Sequence, residues 1–258
     1  MNDILKITLV QPYILWQDIP GNLKKYDTIL NEIKLPVDCI ILPETFATGF
    51  LRNPNEISEK EYNLIPAWMV QKAKLLNTCI AGSNPYRYEG KYYNRFTAAF
   101  PDGKMEHYDK RHVFTMGGEK EYFHGGRERM IFEIKGWKIM PLVCYDLRFP
   151  VWSRNNLHYD LLLYVANWPK ARNHVWETLL MARAMENQCY VTGINRIGTD
   201  GQGVEYKGQS QVISPKGEII AKLDTNEDIL TVSLSRDELQ QFRKKFPAWN
   251  DADDFKIL

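Results

Sequence analysis

Three residues of complementary chemistry stand just past the C-terminal ends of predicted strands. Glu44 follows CIILP, Lys110 follows MEHYD and Cys144 follows KIMPLV. A carboxylate, an ammonium and a thiol make a working set for attack on a carbonyl. A free thiol has a pKa of about 8.5, so near neutral pH it is mostly protonated and needs a base or a nearby positive charge to act. Glu44 is of the type to take the proton. Lys110 is of the type to steady a thiolate, or the oxyanion that forms when a carbonyl is attacked; losing one such donor typically costs about 3 kcal/mol. The usual partner of a nucleophilic cysteine is histidine. His107, His112, His124, His158 and His174 lie in no metalloprotease or caspase-type motif. His112, two residues after Lys110, stays open as a member of the site.

Cys39, Cys79, Cys144 and Cys189 are widely spaced and show no C-x-x-C, so neither a zinc site nor a disulfide framework is expected. Cys39, Cys79 and Cys189 begin or lie inside the apolar segments DCIIL, TCIAG and QCYVTGI and read as small buried hydrophobes. Cys144 alone ends such a run. GTDGQG (198–203) reads as a turn rather than a dinucleotide fingerprint, and there is no Walker A sequence.

The elements that must position these residues are legible as alternating periodicities. Strands are predicted over 4–11, 39–43, 78–84, 92–100, 104–109, on both sides of Gly136 within 129–144, and over 160–167 and 189–196. A hairpin around Pro215-Lys216-Gly217 and a strand over 228–235 follow. Helices are predicted over 19–34, 61–77 and 171–188, the last with Val175, Leu179, Ala182 and Met185 along its apolar face. Strand–helix–strand alternation argues for an α/β chain, while the β-rich stretches at 92–109 and 129–143 argue against a pure doubly wound sheet. In open α/β sheets ligands bind at the carboxyl ends of strands, where all three reactive residues stand. The chain reads as one domain over 1–258, with 235–258 an extension that packs on a surface or on a partner subunit.

Bulk properties exclude other classes. Of the 258 residues 44% are hydrophobic and 25% charged, and the net charge is +1 with no basic stripe. Neither nucleic acid nor an acidic membrane surface is an expected partner. The opening MNDILKITLVQPYILWQDIPG lacks the marks of a signal peptide, and no apolar run approaches the about 18 residues that span a bilayer. A cytoplasmic protein with free thiols is expected.

LPETFATGF (42–50), YDKRHVF (108–114), LVCYDLRFP (142–150) and ANWPKARNHVWETLLMARAMENQCYVTGINRIGTDG (166–201) together resemble the nitrilase superfamily of carbon–nitrogen hydrolases. The resemblance runs from the ITLVQ strand to the SPKGEII hairpin. The NWPKAR and ENQCYV segments are most similar to its omega-amidase branch, which hydrolyses the terminal amide of 2-oxo acid amides such as 2-oxoglutaramate and 2-oxosuccinamate. The resemblance implies Glu44 as general base, Lys110 as the oxyanion-stabilising lysine and Cys144 as nucleophile. It implies a second glutamate, Glu119 with Glu121 in reserve, and the Tyr145 backbone N–H as second oxyanion donor. It further implies a four-layer αββα sandwich of two mixed sheets packed face to face, a homodimer, and no metal or organic cofactor.

Such a substrate carries a carboxylate at its far end, and an arginine fork is its natural clamp. Arg172 is the candidate; Arg148, so close to the nucleophile, is expected in a structural salt bridge. Phe114, Met116 and Trp168 are expected as apolar walls. Rival substrates on the same site are a nitrile, an N-carbamoyl amino acid and deaminated glutathione. A catalytically silent binding module would be expected to lack one of Glu44, Lys110 and Cys144, and a redox-sensing thiol would need a resolving cysteine.

Overall fold

A computed structural model describes residues 3–257. Its first half runs β1 (Ile4–Gln11), α1 (Ile19–Asn31), β2 (Cys39–Ile41), α2 (Glu59–Tyr62), α3 (Leu64–Leu76), β3 (Cys79–Tyr88), β4 (Lys91–Ala99) and β5 (Met105–Asp109). The second half runs β6 (Phe132–Ile134), β7 (Trp137–Val143), α4 (Pro150–Ser153), β8 (Leu161–Ala166), α5 (Asn173–Asn187) and β9 (Tyr190–Asn195). It continues with the small hairpin β10 (Ile197–Thr199) and β11 (Glu205–Lys207), then β12 (Gln211–Ile213), β13 (Ile219–Lys222), β14 (Asp228–Ser235) and α6 (Arg236–Lys245).

The strands form two six-stranded mixed sheets, in the orders β14-β1-β2-β3-β4-β5 and β13-β12-β9-β8-β7-β6. In each, three parallel strands are flanked by one antiparallel strand on one side and two on the other. The sheets pack face to face. Alternation along the strands sorts the side chains: Cys39 and Ile41 of β2 point into the seam with Phe96 and Ala98 of β4 and Trp137 and Ile139 of β7. Ile40 points the other way, into a separate core with Tyr26 of α1 and Trp68 and Met69 of α3. On the far side, Trp176 and Leu180 of α5 lie against Gly193 of β9, where an added Cβ would come within 2.5 Å of Leu180 and 2.7 Å of the Trp176 ring. The result is the expected αββα sandwich.

Three local expectations are corrected. The helix over 61–77 is two helices meeting at Asn63. Ser58 and Glu61 form a capping box on α2, and restarting the helix at Leu64 puts Pro66 in a first turn, where its missing N–H is harmless. The buried face of α5 is not Val175, Leu179, Ala182 and Met185, which are half-buried or exposed, but Trp176, Leu180, Arg183, Ala184 and Asn187. Polar residues occupy that core face because backbone groups wait there: Arg183 Nη2 donates to Leu147 O (2.6 Å), and Asn187 Oδ1 accepts from Asn155 N (2.9 Å). Last, 197–207 holds a two-stranded hairpin around the TDGQG turn.

α6 sends Leu239 into the core and ties Arg243 to the carbonyls of Gln188 and Tyr159 at 2.8 and 2.7 Å. Among the described residues no helix is long and apolar enough to cross a membrane.

Candidate active site

The ends of β2, β5, β7 and β8 converge on one cavity of about 630 Å³, lined by Glu44, Lys110, Cys144, Asn167 and Trp168 among others. Lys110 sits at the centre of a buried charge network. Its Nζ donates to Glu44 Oε1 at 2.9 Å and to Glu119 Oε1 and Oε2 at 3.0 and 2.9 Å. All three side chains are almost fully buried, so their mutual pairing replaces the water each has lost. Burial alone would depress the Lys110 pKa, but the carboxylates of Glu119 and Glu44 reverse this and hold it above the ordinary lysine range. Burial pushes Glu119 up, against the pull of Lys110. Glu119 Oε2 also accepts the Phe114 N–H at 2.5 Å. Glu121, the reserve, is exposed.

Two asparagines that sequence reasoning missed complete the network. Asn94 Nδ2 donates to Glu44 Oε1 (2.8 Å) and Glu119 Oε1 (3.3 Å), while its Oδ1 accepts from Ser83 Oγ (2.9 Å). Asn167 donates its N–H to Glu44 Oε2 (2.8 Å) and its Nδ2 to Glu44 O (3.0 Å). Every oxygen of Glu44 is thus aimed by a donor. The signal for Asn94 was parity: it shares a face of β4 with Phe96 and Ala98, which point into the seam.

Cys144 begins a tight 3-10 turn, Cys144–Arg148, and holds a left-handed backbone with φ +44°. Left-handed φ at a residue other than glycine costs on the order of 1 kcal/mol and persists only where neighbours enforce it. Here they do. Buried Asp146 accepts from Val143 N (3.0 Å), Tyr108 Oη (2.7 Å) and His112 N (2.9 Å), and pairs with His112 Nδ1 (2.7 Å). Arg183 holds the Leu147 carbonyl from behind. His112 stacks on Phe149 with ring centroids 3.8 Å apart and does not line the cavity. The thiol lies 3.7 Å from Asn167 O. Burial and the facing Glu44 carboxylate push its pKa well up, with Lys110 pulling the other way. The balance favours the protonated thiol.

The remaining expected residues, Phe114, Met116, Tyr145, Trp168 and Arg172, all line the same cavity, with Met116 exposed at its mouth. Trp168 is pinned by Asn195, whose Oδ1 accepts its N–H (2.8 Å) and whose Nδ2 reaches its carbonyl (3.0 Å). Arg148 corrects the expectation made for it. It joins no salt bridge among the described residues and lines the cavity instead, its guanidinium 5.1 Å from the Trp168 ring centroid. Sequence reasoning also missed Tyr206 and Asp200 on the wall. Asp200 spends both carboxylate oxygens on its own turn, accepting from Gln202 N, Val204 N and Tyr206 Oη at 2.8, 3.0 and 2.8 Å. Among the described residues no cluster of His, Cys, Asp and Glu suits a metal. All four cysteines are free.

A buried carboxylate beside a fixed ammonium, facing a thiol at a strand tip, is equipment for acyl transfer. Comparison with known proteins agrees. The carbon-nitrogen hydrolase family profile matches residues 6–244. The omega-amidase YafV of Escherichia coli K12 is 48% identical over 254 residues, 98% of each chain. A 2-oxoglutaramate amidase of Bacillus subtilis is 32% identical over 89% of this chain and 90% of its own. The crystal structure of XC1258 from Xanthomonas campestris, a CN-hydrolase superfamily protein with an arsenic adduct in the active site, superposes with a TM-score of 0.92 at 40% identity, covering 99% of both chains. The chain belongs to the carbon–nitrogen hydrolase family, the nitrilase superfamily.

Proposed function

We propose that the protein is an omega-amidase-type amidohydrolase, cleaving the terminal carboxamide of a small 2-oxo acid amide such as 2-oxoglutaramate or 2-oxosuccinamate to the acid and ammonia. The observation that carries this is the Glu44–Lys110–Glu119 network facing Cys144 across one cavity. Cys144 Sγ attacks the amide carbonyl as Glu44 takes the thiol proton. Burial and the facing carboxylate favour the protonated thiol, so the attack needs Glu44 as base. Lys110 Nζ and the Tyr145 backbone N–H stabilise the tetrahedral oxyanion. Glu119 acts through Lys110, holding its ammonium in place. Glu44 returns the proton to the departing nitrogen, ammonia leaves, and a Cys144 thioester remains. Glu44 then activates a water that attacks the thioester, giving the carboxylic acid and the free thiol. Each cycle consumes one amide and one water and returns the protein unchanged. No step calls for a metal or organic cofactor.

The test is ammonia release from 2-oxoglutaramate, a nitrile and an N-carbamoyl amino acid. Release from the first supports the reading; release from only the other two overturns it. Cys144→Ala is expected to abolish turnover while leaving the circular dichroism spectrum unchanged, and substrate trapping is expected to leave an acyl adduct on Cys144 by mass spectrometry.

We infer further that the protein works as a homodimer in the cytoplasm. Val175, Leu179, Ala182 and Met185 form a partly exposed apolar stripe on α5, with Met185 against the Gly217 turn. A second copy is the simplest cover for it. Sedimentation is expected to give a dimer that Met185→Glu disperses. Free thiols, one of them essential to the mechanism, suit a reducing compartment.

A further inference from the structure

A second cavity, of about 640 Å³, gathers four cations: Arg111, Arg127, Arg129 and Lys256. It shares no lining residue with the catalytic cavity. Among the described residues none of the four forms an ion pair, and no carboxylate lines the cavity. Four like charges in one concavity repel one another until an anion joins them. The volume is that of a small-ligand site.

Two of the cations are held in place by neutral groups. Arg111 Nη1 donates to Gly126 O at 3.0 Å, and Arg129 Nη1 to Arg154 O at 3.3 Å and Asn156 Oδ1 at 2.8 Å. Both guanidiniums lie by the ring of Trp152, at 5.1 and 6.0 Å from its centroid. Trp152 is itself buried in α4 and anchored through Nε1 to Tyr108 Oη at 3.0 Å. Such contacts orient a guanidinium without neutralising it, and leave further N–H groups to donate. Burial pulls the Arg129 pKa down, the mark of a charge that has lost water and gained no counter-charge. Arg127 and Arg129 lie two apart in the segment before β6 and both line the cavity, while Glu128 between them does not. Lys256 comes from the C-terminal segment, beside Ile257, which packs at the edge of the core.

We propose that this cavity is a binding site, separate from the catalytic one, for a small oxyanion carrying two or more charges, of the phosphate or polycarboxylate kind. Arg111 and Arg129 form its preset floor. Arg127 and Lys256, both exposed and without hydrogen bonds among the described residues, close on the ligand from the rim. A monovalent anion cannot answer four cations at once, so affinity rises with ligand charge and falls as salt screens the pairing.

The experiment is calorimetric titration of the full chain with pyrophosphate, citrate and acetate. Saturable binding of pyrophosphate or citrate is expected, with acetate at least about tenfold weaker. The tighter of the two multivalent anions assigns the site to phosphates or to polycarboxylates. The double variant Arg127→Gln with Lys256→Gln removes two rim charges that hold no other group, so its unfolding midpoint should match the wild type. Loss of these charge-assisted contacts is expected to raise the Kd about 10- to 100-fold. A control double variant, Lys24→Gln with Lys91→Gln, removes the same charge from exposed positions elsewhere and should leave the Kd within twofold. The site is overturned if neither multivalent anion binds saturably, or if the rim variant keeps the Kd within twofold. It is equally overturned if the control variant loses as much affinity as the rim variant, since net charge alone would then explain the binding.

Discussion

At the scale of residues, the site departs from the common picture of a cysteine activated as a thiolate. Burial and Glu44 raise the Cys144 pKa, and Lys110 lowers it. The signs give a direct prediction. The thiolate absorbance difference between wild type and Cys144→Ser is expected to titrate above the about 8.5 of a free thiol. Glu44→Gln removes the facing negative charge and is expected to move the midpoint down. Lys110→Met removes the positive charge and is expected to move it up. A wild-type midpoint at or below the free-thiol value would contradict this balance of burial and charge. Glu44, Lys110 and Cys144 were legible in the sequence because each is a reactive residue type just past a strand end, and the three types complement one another. Asn94 and Asn167 were not, since an asparagine within or beside a strand has many uses. Only the approach of Glu44, to Asn94 within its own sheet and to Asn167 across the seam, gives these two their meaning.

At the scale of elements, the turn after β7 is held from two sides, by Asp146 in front and Arg183 behind. Asp146→Ala strands the Tyr108 hydroxyl and the N–H groups of Val143 and His112. A loss of about 3 kcal/mol or more in urea denaturation is expected, with kcat/KM falling because Cys144 loses what enforces its left-handed backbone. Unchanged stability would mean that water replaces the carboxylate. The same turn explains why α5 was read on the wrong face. A pattern search favours apolar residues, and here two core positions go to Arg183 and Asn187, which serve backbone groups of neighbouring segments. Leu180→Ala, on the true core face, is expected to cost roughly 2–5 kcal/mol. A loss below about 1 kcal/mol would place Leu180 outside the core.

At the scale of the molecule, the two sheets share one plan, although no repeat is visible in the sequence. Each has three parallel strands with one antiparallel neighbour on one side and two on the other. The first sheet brings Glu44, Asn94 and Lys110, and the second brings Cys144 and Asn167. The succession of strands and helices along the chain followed from local periodicity, but strand order within the sheets and the docking of halves depend on residues far apart in sequence and left no local mark. Because the site straddles the seam, loss of activity and loss of tryptophan fluorescence, reporting on Trp68 in one half and Trp137 and Trp176 in the other, are expected to coincide in denaturant. Separate midpoints would show that the halves unfold independently.

The pairing of β14 with β1 has a consequence for how the chain must be made. All eight residues of β1, Ile4 to Gln11, are matched by Asp228 to Ser235. The first strand of the fold therefore waits for its last one. Until then its Leu5, Ile7 and Leu9 ladder is an open edge of the kind that recruits other chains. A ribosome that stalls before Asp228 would release a product with most of its apolar core and no lid on that edge. Such fragments should accumulate as aggregates or as protease substrates rather than as a smaller folded protein, so closure of the first sheet depends on its last strand.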